Sequence, residues 1–255
     1  MASKEQSVTL LRANKLAQVE ALKSLGFDSL TESARASEFP AMVKWANGLL
    51  DLTIAANRIS DNKKFFFTLA EWQSLSATEQ GLFLLRGVRV RAWSTSFIIA
   101  PDTITNKQWG DKINVPDAAQ PRLTHTMPFF FDAYNETKLV VEAYKDHSGN
   151  GVVGAPAAEA ALAYKAFTFD RDGLEDDSEW CLPTLAHWFI IFRFKTEIDA
   201  MFTAVWSSDF KIQSVMHWAC LQLDSSNAYR CNVDSGSCYW QDKTNTGAVR
   251  PICLS

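Results

Sequence analysis

The residues with the most obvious chemical potential lie in the last third of the chain. Asp170, Asp172, Glu175, Asp176 and Asp177 crowd around Gly173. Hard carboxylate oxygens at such spacing suit calcium, but the run does not follow the twelve-residue register of an EF-hand loop. A glycosidase needs two carboxyl groups about 5 to 10 Å apart across a sugar bond, and residues crowded into one loop are poor candidates for that. The stretch therefore reads as an acidic surface loop, with no metal assigned. Cys231 and Cys238 match no common zinc spacing. His187 and His217 stand in no nucleophile-type motif, although a triad can assemble from distant positions. The run Gly149-Asn150-Gly151-Val152-Val153-Gly154 is superficially like a dinucleotide fingerprint but reads as a flexible linker. No catalytic motif emerges, so neither an enzyme nor a cofactor is expected.

What the region from Asp172 to Pro251 does contain is a mixture. Scaffold-type residues alternate with Ser, Asn, Asp, Tyr, Trp, Arg and Cys. Tyr and Trp bury much area at low entropic cost, and Ser and Asn adapt their hydrogen bonds, which is the chemistry of antibody-like binding surfaces. Residues of this chemistry in the region are Tyr229, Tyr239 and Trp240, with Ser225, Ser226, Asn227, Asn232, Asp234 and Ser237.

The elements that must position them follow from periodicity. Apolar residues recur at helical spacing over 8–25, and again from Met42 through Ile54 after Pro40, so residues 1–64 read as a helical adaptor or oligomerisation region. Thr68 and Glu71 stand in capping-box register before a short helix, and Gly81 ends the next helical piece. Phe65-Phe66-Phe67, residues 82–93 and residues 96–100 read as strands. Turns are expected at Pro116, Pro121 and Pro128, with a last strand over Lys138–Tyr144, so 65–147 reads as a β-rich middle region. Residues 147–156 read as a linker, Ala157–Phe167 as an Ala-rich helix and Leu185–Phe202 as a helix. The fold class expected is α+β, with a third region over 148–255.

The 255 residues carry a net charge of −4 without a basic block, so nucleic acid is not an expected partner. No apolar run is long enough to span a membrane, and the N-terminal residues lack the apolar core of a secretory signal. With five cysteines and no such signal, free thiols are expected rather than a disulfide framework.

An ordered series ties the last region together. It runs from Trp180-Cys181-Leu182-Pro183-Thr184 through Trp218-Ala219-Cys220, Ala228-Tyr229, Gly236 and Lys243 to Val249-Arg250-Pro251. The series resembles a C-type-lectin-like domain found in the variable proteins of diversity-generating retroelements, in phages and bacteria. That domain shows Trp-x-Leu-Pro-Thr, Trp-Ser-Ser, Ala-Trp, a turn Gly, a Lys and a closing Val-Arg-Pro. Trp206-Ser207-Ser208 offers a second register for Trp-Ser-Ser, but it would require a long insertion. Cys181 replaces the usual Arg, and Ala219-Cys220 and Tyr229 replace Ser-Ser and Trp at the candidate surface. The resemblance implies a lectin-like fold over 148–255 with a diversified binding face. Its candidate ligand-binding residues are Ala219, Cys220, Gln222, Asp224, Asn227, Tyr229, Arg230, Asn232, Asp234, Ser237, Tyr239, Trp240, Asp242 and Asn245. It implies a phage tail or fibre protein, made in the bacterial cytoplasm and carried on the virion. Its expected partners are virion components and a host or target cell-surface protein or glycan, and a homotrimer is expected. A bacterial surface or pilus adhesin is the alternative, followed by a formylglycine-generating-type oxidase using a cysteine pair, or a glycan hydrolase.

Overall fold

In the computed structural model the chain divides into two units, Met1–Leu50 and Asp51–Ser255. The residues described are 50–92, 95–115, 132–145, 147–149, 152–169 and 174–255. The expected helix over 8–25, the start of the helix after Pro40 and the three proline turns lie outside them.

The second unit mixes helices with two main sheets, so the α+β expectation holds at that level. The six-stranded sheet has the order β10-β15-β4-β3-β1-β2. Its strands are β1 (Asp51–Arg58), β2 (Lys64–Phe67), β3 (Phe83–Ala92), β4 (Thr95–Ile99), β10 (Trp180–Cys181) and β15 (Ile252–Leu254). The five-stranded sheet has the order β13-β12-β11-β14-β5. It is built from β5 (Ile104–Gln108), β11 (Met216–Gln222), β12 (Asn227–Asn232), β13 (Ser237–Asp242) and β14 (Thr246–Val249). Strands from both sides of the expected 147/148 boundary therefore share each sheet.

Two adjacent chain segments pass from one sheet to the other. Ala100–Thr103 links β4 to β5, and Arg250-Pro251 links β14 to β15. They are stitched together, because Ala100 N–H donates to the Pro251 carbonyl at 2.9 Å and the Arg250 guanidinium donates to Thr103 Oγ1 at 2.9 Å. Arg250 is 1% exposed and has no carboxylate within salt-bridge reach among the described residues. Its two terminal nitrogens also reach the Lys211 and Phe210 carbonyls, and the guanidinium lies over the Phe202 ring. The Val-Arg-Pro end thus locks the junction of the two sheets.

Several local expectations are met. Thr68 caps α1 (Leu69–Ser74) with a reciprocal Glu71 bond, and Ser76 with Glu79 repeats the device at α2 (Ala77–Gln80), which Gly81 terminates. The Ala-rich helix forms as α4 (Pro156–Leu162), ending before the expected Phe167.

Others are overturned. Residues 51–58 form β1, not the end of a helix: Thr53 and Ile54 are buried beside β3, and sheet pairing on both sides overrides a weak helical period. The expected strand over Lys138–Tyr144 is part of helix α3 (Ala133–Tyr144), capped by Asp132. Its buried residues Ala133, Glu136, Thr137, Val140 and Tyr144 follow the helical repeat. The linker at 147–156 contains a small hairpin, β6 (Ser148–Gly149) with β7 (Val152–Val153). The expected single helix over Leu185–Phe202 is two, α5 (Leu185–Arg193) and α6 (Lys195–Val205), broken at Phe194, whose ψ is 22°.

The acidic surface loop is corrected at Asp176, which is fully buried. Its carboxylate accepts from Ala166 N–H at 3.1 Å, Ser178 N–H at 3.1 Å and Trp180 Nε1 at 2.5 Å. The buried Arg86 side chain stands 3.6 Å away. A carboxylate so fully engaged anchors β10 and is not presented to solvent or to a metal.

Candidate functional site

The Leu-Pro-Thr segment sets the base of the site. Leu182 N–H donates to Thr137 Oγ1, and the Pro183 carbonyl accepts Cys220 N–H at 2.9 Å. Thr184 caps α5, with the His187 ring in the place a capping-box Glu usually takes. Helix α5 packs against β11 and β12, where the Trp188 ring meets His217 at 5.0 Å between centroids. Burial drives both His187 and His217 down to about 3, so each is neutral at ordinary pH.

Strand β11 is buried from His217 to Gln222. Three of the expected surface residues, Ala219, Cys220 and Gln222, lie in it at 2% exposure or less and are not available to a ligand. They are covered because β11 is an inner strand with helices packed on it, and helix α3 is among its contacts. Trp218 is also fully buried and donates Nε1–H to the Lys107 carbonyl at 2.8 Å. A side chain at Gly247 would meet that indole nitrogen at 2.7 Å, so glycine is needed where β14 passes Trp218.

Gln222 belongs to a buried polar knot. Lys243 donates to Gln222 Oε1 at 2.6 Å and to the Ile113 carbonyl at 2.7 Å, and its ammonium lies 4.8 Å from the Trp109 ring centroid. Gln222 in turn donates to the Val115 carbonyl at 2.9 Å and accepts Val115 N–H at 3.3 Å. No carboxylate contacts this lysine among the described residues, and burial lowers it to about 8. The Lys of the motif is therefore a structural clamp between the loop after β5 and the end of β13.

The remaining candidates do cluster, on the hairpin of β12 and β13 and on its loops. The register pairs Asn227 with Asp242, Tyr229 with Trp240, Arg230 with Tyr239, Cys231 with Cys238 and Asn232 with Ser237. Gly236, at φ 63°, closes the turn in open space. Cys231 and Cys238 are joined by a disulfide, which corrects the expectation of free thiols for this pair. The turn places them directly opposite one another across an antiparallel pair, with Cα atoms 4.2 Å apart. The other three cysteines are free and buried.

The hairpin side chains divide by role. Asp224 accepts Ser226 and Asn227 N–H, Asn232 accepts Asp234 and Ser235 N–H, and Asp242 accepts from Thr244 and pairs with Lys112. These shape turns as much as they face outward. Arg230 is half-buried, lies over the Trp218 ring and donates to the Thr246 carbonyl. The outward aromatics are Tyr239, 43% exposed, and Trp240, 57% exposed, on opposite faces of β13, with half-buried Tyr229 across from Trp240. Asp234, Ser237 and Asn245 complete the rim, and Asp234 stands 3.8 Å from Lys195.

Sequence reading missed Lys112, Lys195 and Met216 at this surface. Met216 accepts the Tyr239 hydroxyl at 3.1 Å. No local signal marks these residues, because two reach the hairpin from separate elements and the third from an otherwise buried strand.

Among the described residues no group of three or more His, Cys, Asp or Glu side chains is placed to hold a metal ion, and no helix is long and apolar enough to cross a membrane. No family model matches the chain, and no curated protein matches it.

Proposed function

We propose that this chain is a receptor-binding protein of a phage virion, recognising a host-surface protein or glycan through the β12–β13 hairpin. The observation that carries the reading is the contrast around that hairpin. Exposed Tyr239 and Trp240 stand on a disulfide-closed edge, backed by a strand whose side chains are almost wholly buried. Such a backbone tolerates exchange of its outer side chains, because folding energy resides beneath them. The ordered series from Trp-x-Leu-Pro-Thr to Val-Arg-Pro supports it further, since Trp180, Trp218, Lys243, Val249 and Arg250 are all buried. In this reading the diversified set is narrower than the fourteen candidates. It comprises Tyr229, Asp234, Ser237, Tyr239, Trp240 and Asn245, with Arg230 at its margin.

The test is an exchange library at those six positions, assayed for binding to host cells and for melting. Target choice should change while the melting temperature moves by no more than about 3 °C. General loss of folding across the library, or unchanged binding in every variant, overturns the proposal.

A further inference from the structure

We propose that β13 pairs with β13 of a second copy of this chain, antiparallel and about a two-fold axis at Trp240. The two main sheets have four edges, and three are blunted. Strand β10 is two residues long, β2 has four residues and opens on Lys64, and β5 carries Lys107 and the left-handed Asn106. Short length, lysine and local irregularity are the usual protections of an open edge. Strand β13 has none of them: it runs six residues, Ser237–Asp242, without Lys or Pro.

The hydrogen-bond phase identifies the groups left open. Lys243 N–H donates to the Ser226 carbonyl at 3.0 Å, so alternate pairs onward, Gln241 with Ala228 and Tyr239 with Arg230, bond inward to β12. Cys238, Trp240 and Asp242 therefore turn their N–H and C=O groups to the open side. The Asp242 carbonyl accepts Asn245 N–H. The other outward groups have no partner among the described residues.

Unpaired backbone groups repeating every second residue call for another extended backbone, and one register engages all three residues. Trp240 pairs with Trp240 of the copy, and Cys238 with Asp242 of the copy, twice. The arrangement is self-complementary, as an isologous contact requires. Tyr239 then lies opposite Gln241 of the copy. The only charged side chain on the strand, Asp242, faces an uncharged partner, so no like charges meet. The pairing uses the strand edge and does not depend on the ligand-binding reading. A monomer that binds host cells refutes only the dimer, and a dimer that ignores them refutes only the binding role.

The experiment uses the full chain at micromolar concentration in sedimentation velocity, with two cysteine variants. The expected wild-type mass is that of two copies, and Trp240→Pro should give one copy, since proline is tolerated where the N–H faces away from the sheet. Trp240→Cys should cross-link to itself with oxidised glutathione at least tenfold faster than Gln241→Cys. A hydrogen-bonded pair puts Cα atoms about 5.5 Å apart, within disulfide range, whereas Gln241 faces Tyr239. Cys181, Cys220 and Cys253 are buried and add little background. If Trp240→Pro fails to fold, the cross-linking rates still decide. A wild-type monomer, a trimer unaffected at Trp240, or equal cross-linking at 240 and 241 overturns the proposal.

Discussion

Strands β11 and β13 lie two places apart in one sheet, and each contains Trp, Cys and Gln. In β11 Trp218, Cys220 and Gln222 are fully buried. In β13 Trp240 is 57% exposed, while Cys238 and Gln241 are half-buried. Residue type is shared and environment is opposite. The difference teaches that place in the sheet, inner or edge, decides whether an amphipathic residue packs or presents itself. The exposed face at this edge is one hairpin wide, even where the sequence continues in the same polar and aromatic style.

The sharpest way to break the comparison is to remove the two glutamine side chains separately. Gln222→Ala should cost about 3 kcal/mol in urea unfolding. It leaves the buried Lys243 ammonium and both Val115 backbone groups short of partners, and unsatisfied buried groups carry their full desolvation penalty. Gln241→Ala should stay within about 0.5 kcal/mol of wild type, as surface substitutions do. Equal costs would mean that the two strands do not differ as inner and edge strands.

The next effect is a slope with pH. Burial lowers Lys243 from the ordinary 10.5 to about 8. Below about 8 both folded and unfolded chains hold the proton, and the cost of burying the charge is fully present. Between about 8 and 10.5 the unfolded chain binds more protons, so stability carried by this group rises with pH. Lys243→Met should lower stability overall and lose that rise. Urea midpoints of both proteins at about pH 7.5 and about pH 9.5 check it. The same upward slope in both proteins would assign it to another group.

Much of the local chemistry was legible in the sequence, and the reasons can be named. Thr68 with Glu71 and the Gly81 stop were readable because a capping box is a contact between residues three apart. Trp180, Trp218 and Val249-Arg250-Pro251 stood out by their order along the chain, and all of them are buried. What failed needed partners distant in sequence. Residues 51–54 continue the helical pattern that starts at Met42, and become part of a strand only because β2 and β3 pair on either side. Asp176 resembles its acidic neighbours until Trp180, Ser178 and Arg86 close around it. Ala219, Cys220 and Gln222 were assigned to the surface from a resemblance in linear order, which cannot report the helices packed over an inner strand. The Cys231–Cys238 bond was missed because a cysteine count is a weaker argument than a hairpin register that sets the two residues face to face.

The smallest effect is also the most specific to the proposed surface. Tyr229 and Trp240 face each other in a non-hydrogen-bonded pair, the type that brings side chains closest. A double-mutant cycle with Tyr229→Ser and Trp240→Ser, run at low concentration so that self-association does not contribute, should give a coupling of about 0.5 kcal/mol. That value describes two side chains opposite one another across the strand pair, with most of the indole free for a partner. A coupling above about 2 kcal/mol would place Trp240 in a packed cluster like that around Trp218, and the inner-versus-edge distinction would fail for it. No coupling at all would mean that the indole stands clear of Tyr229, leaving both rings separately available to a ligand.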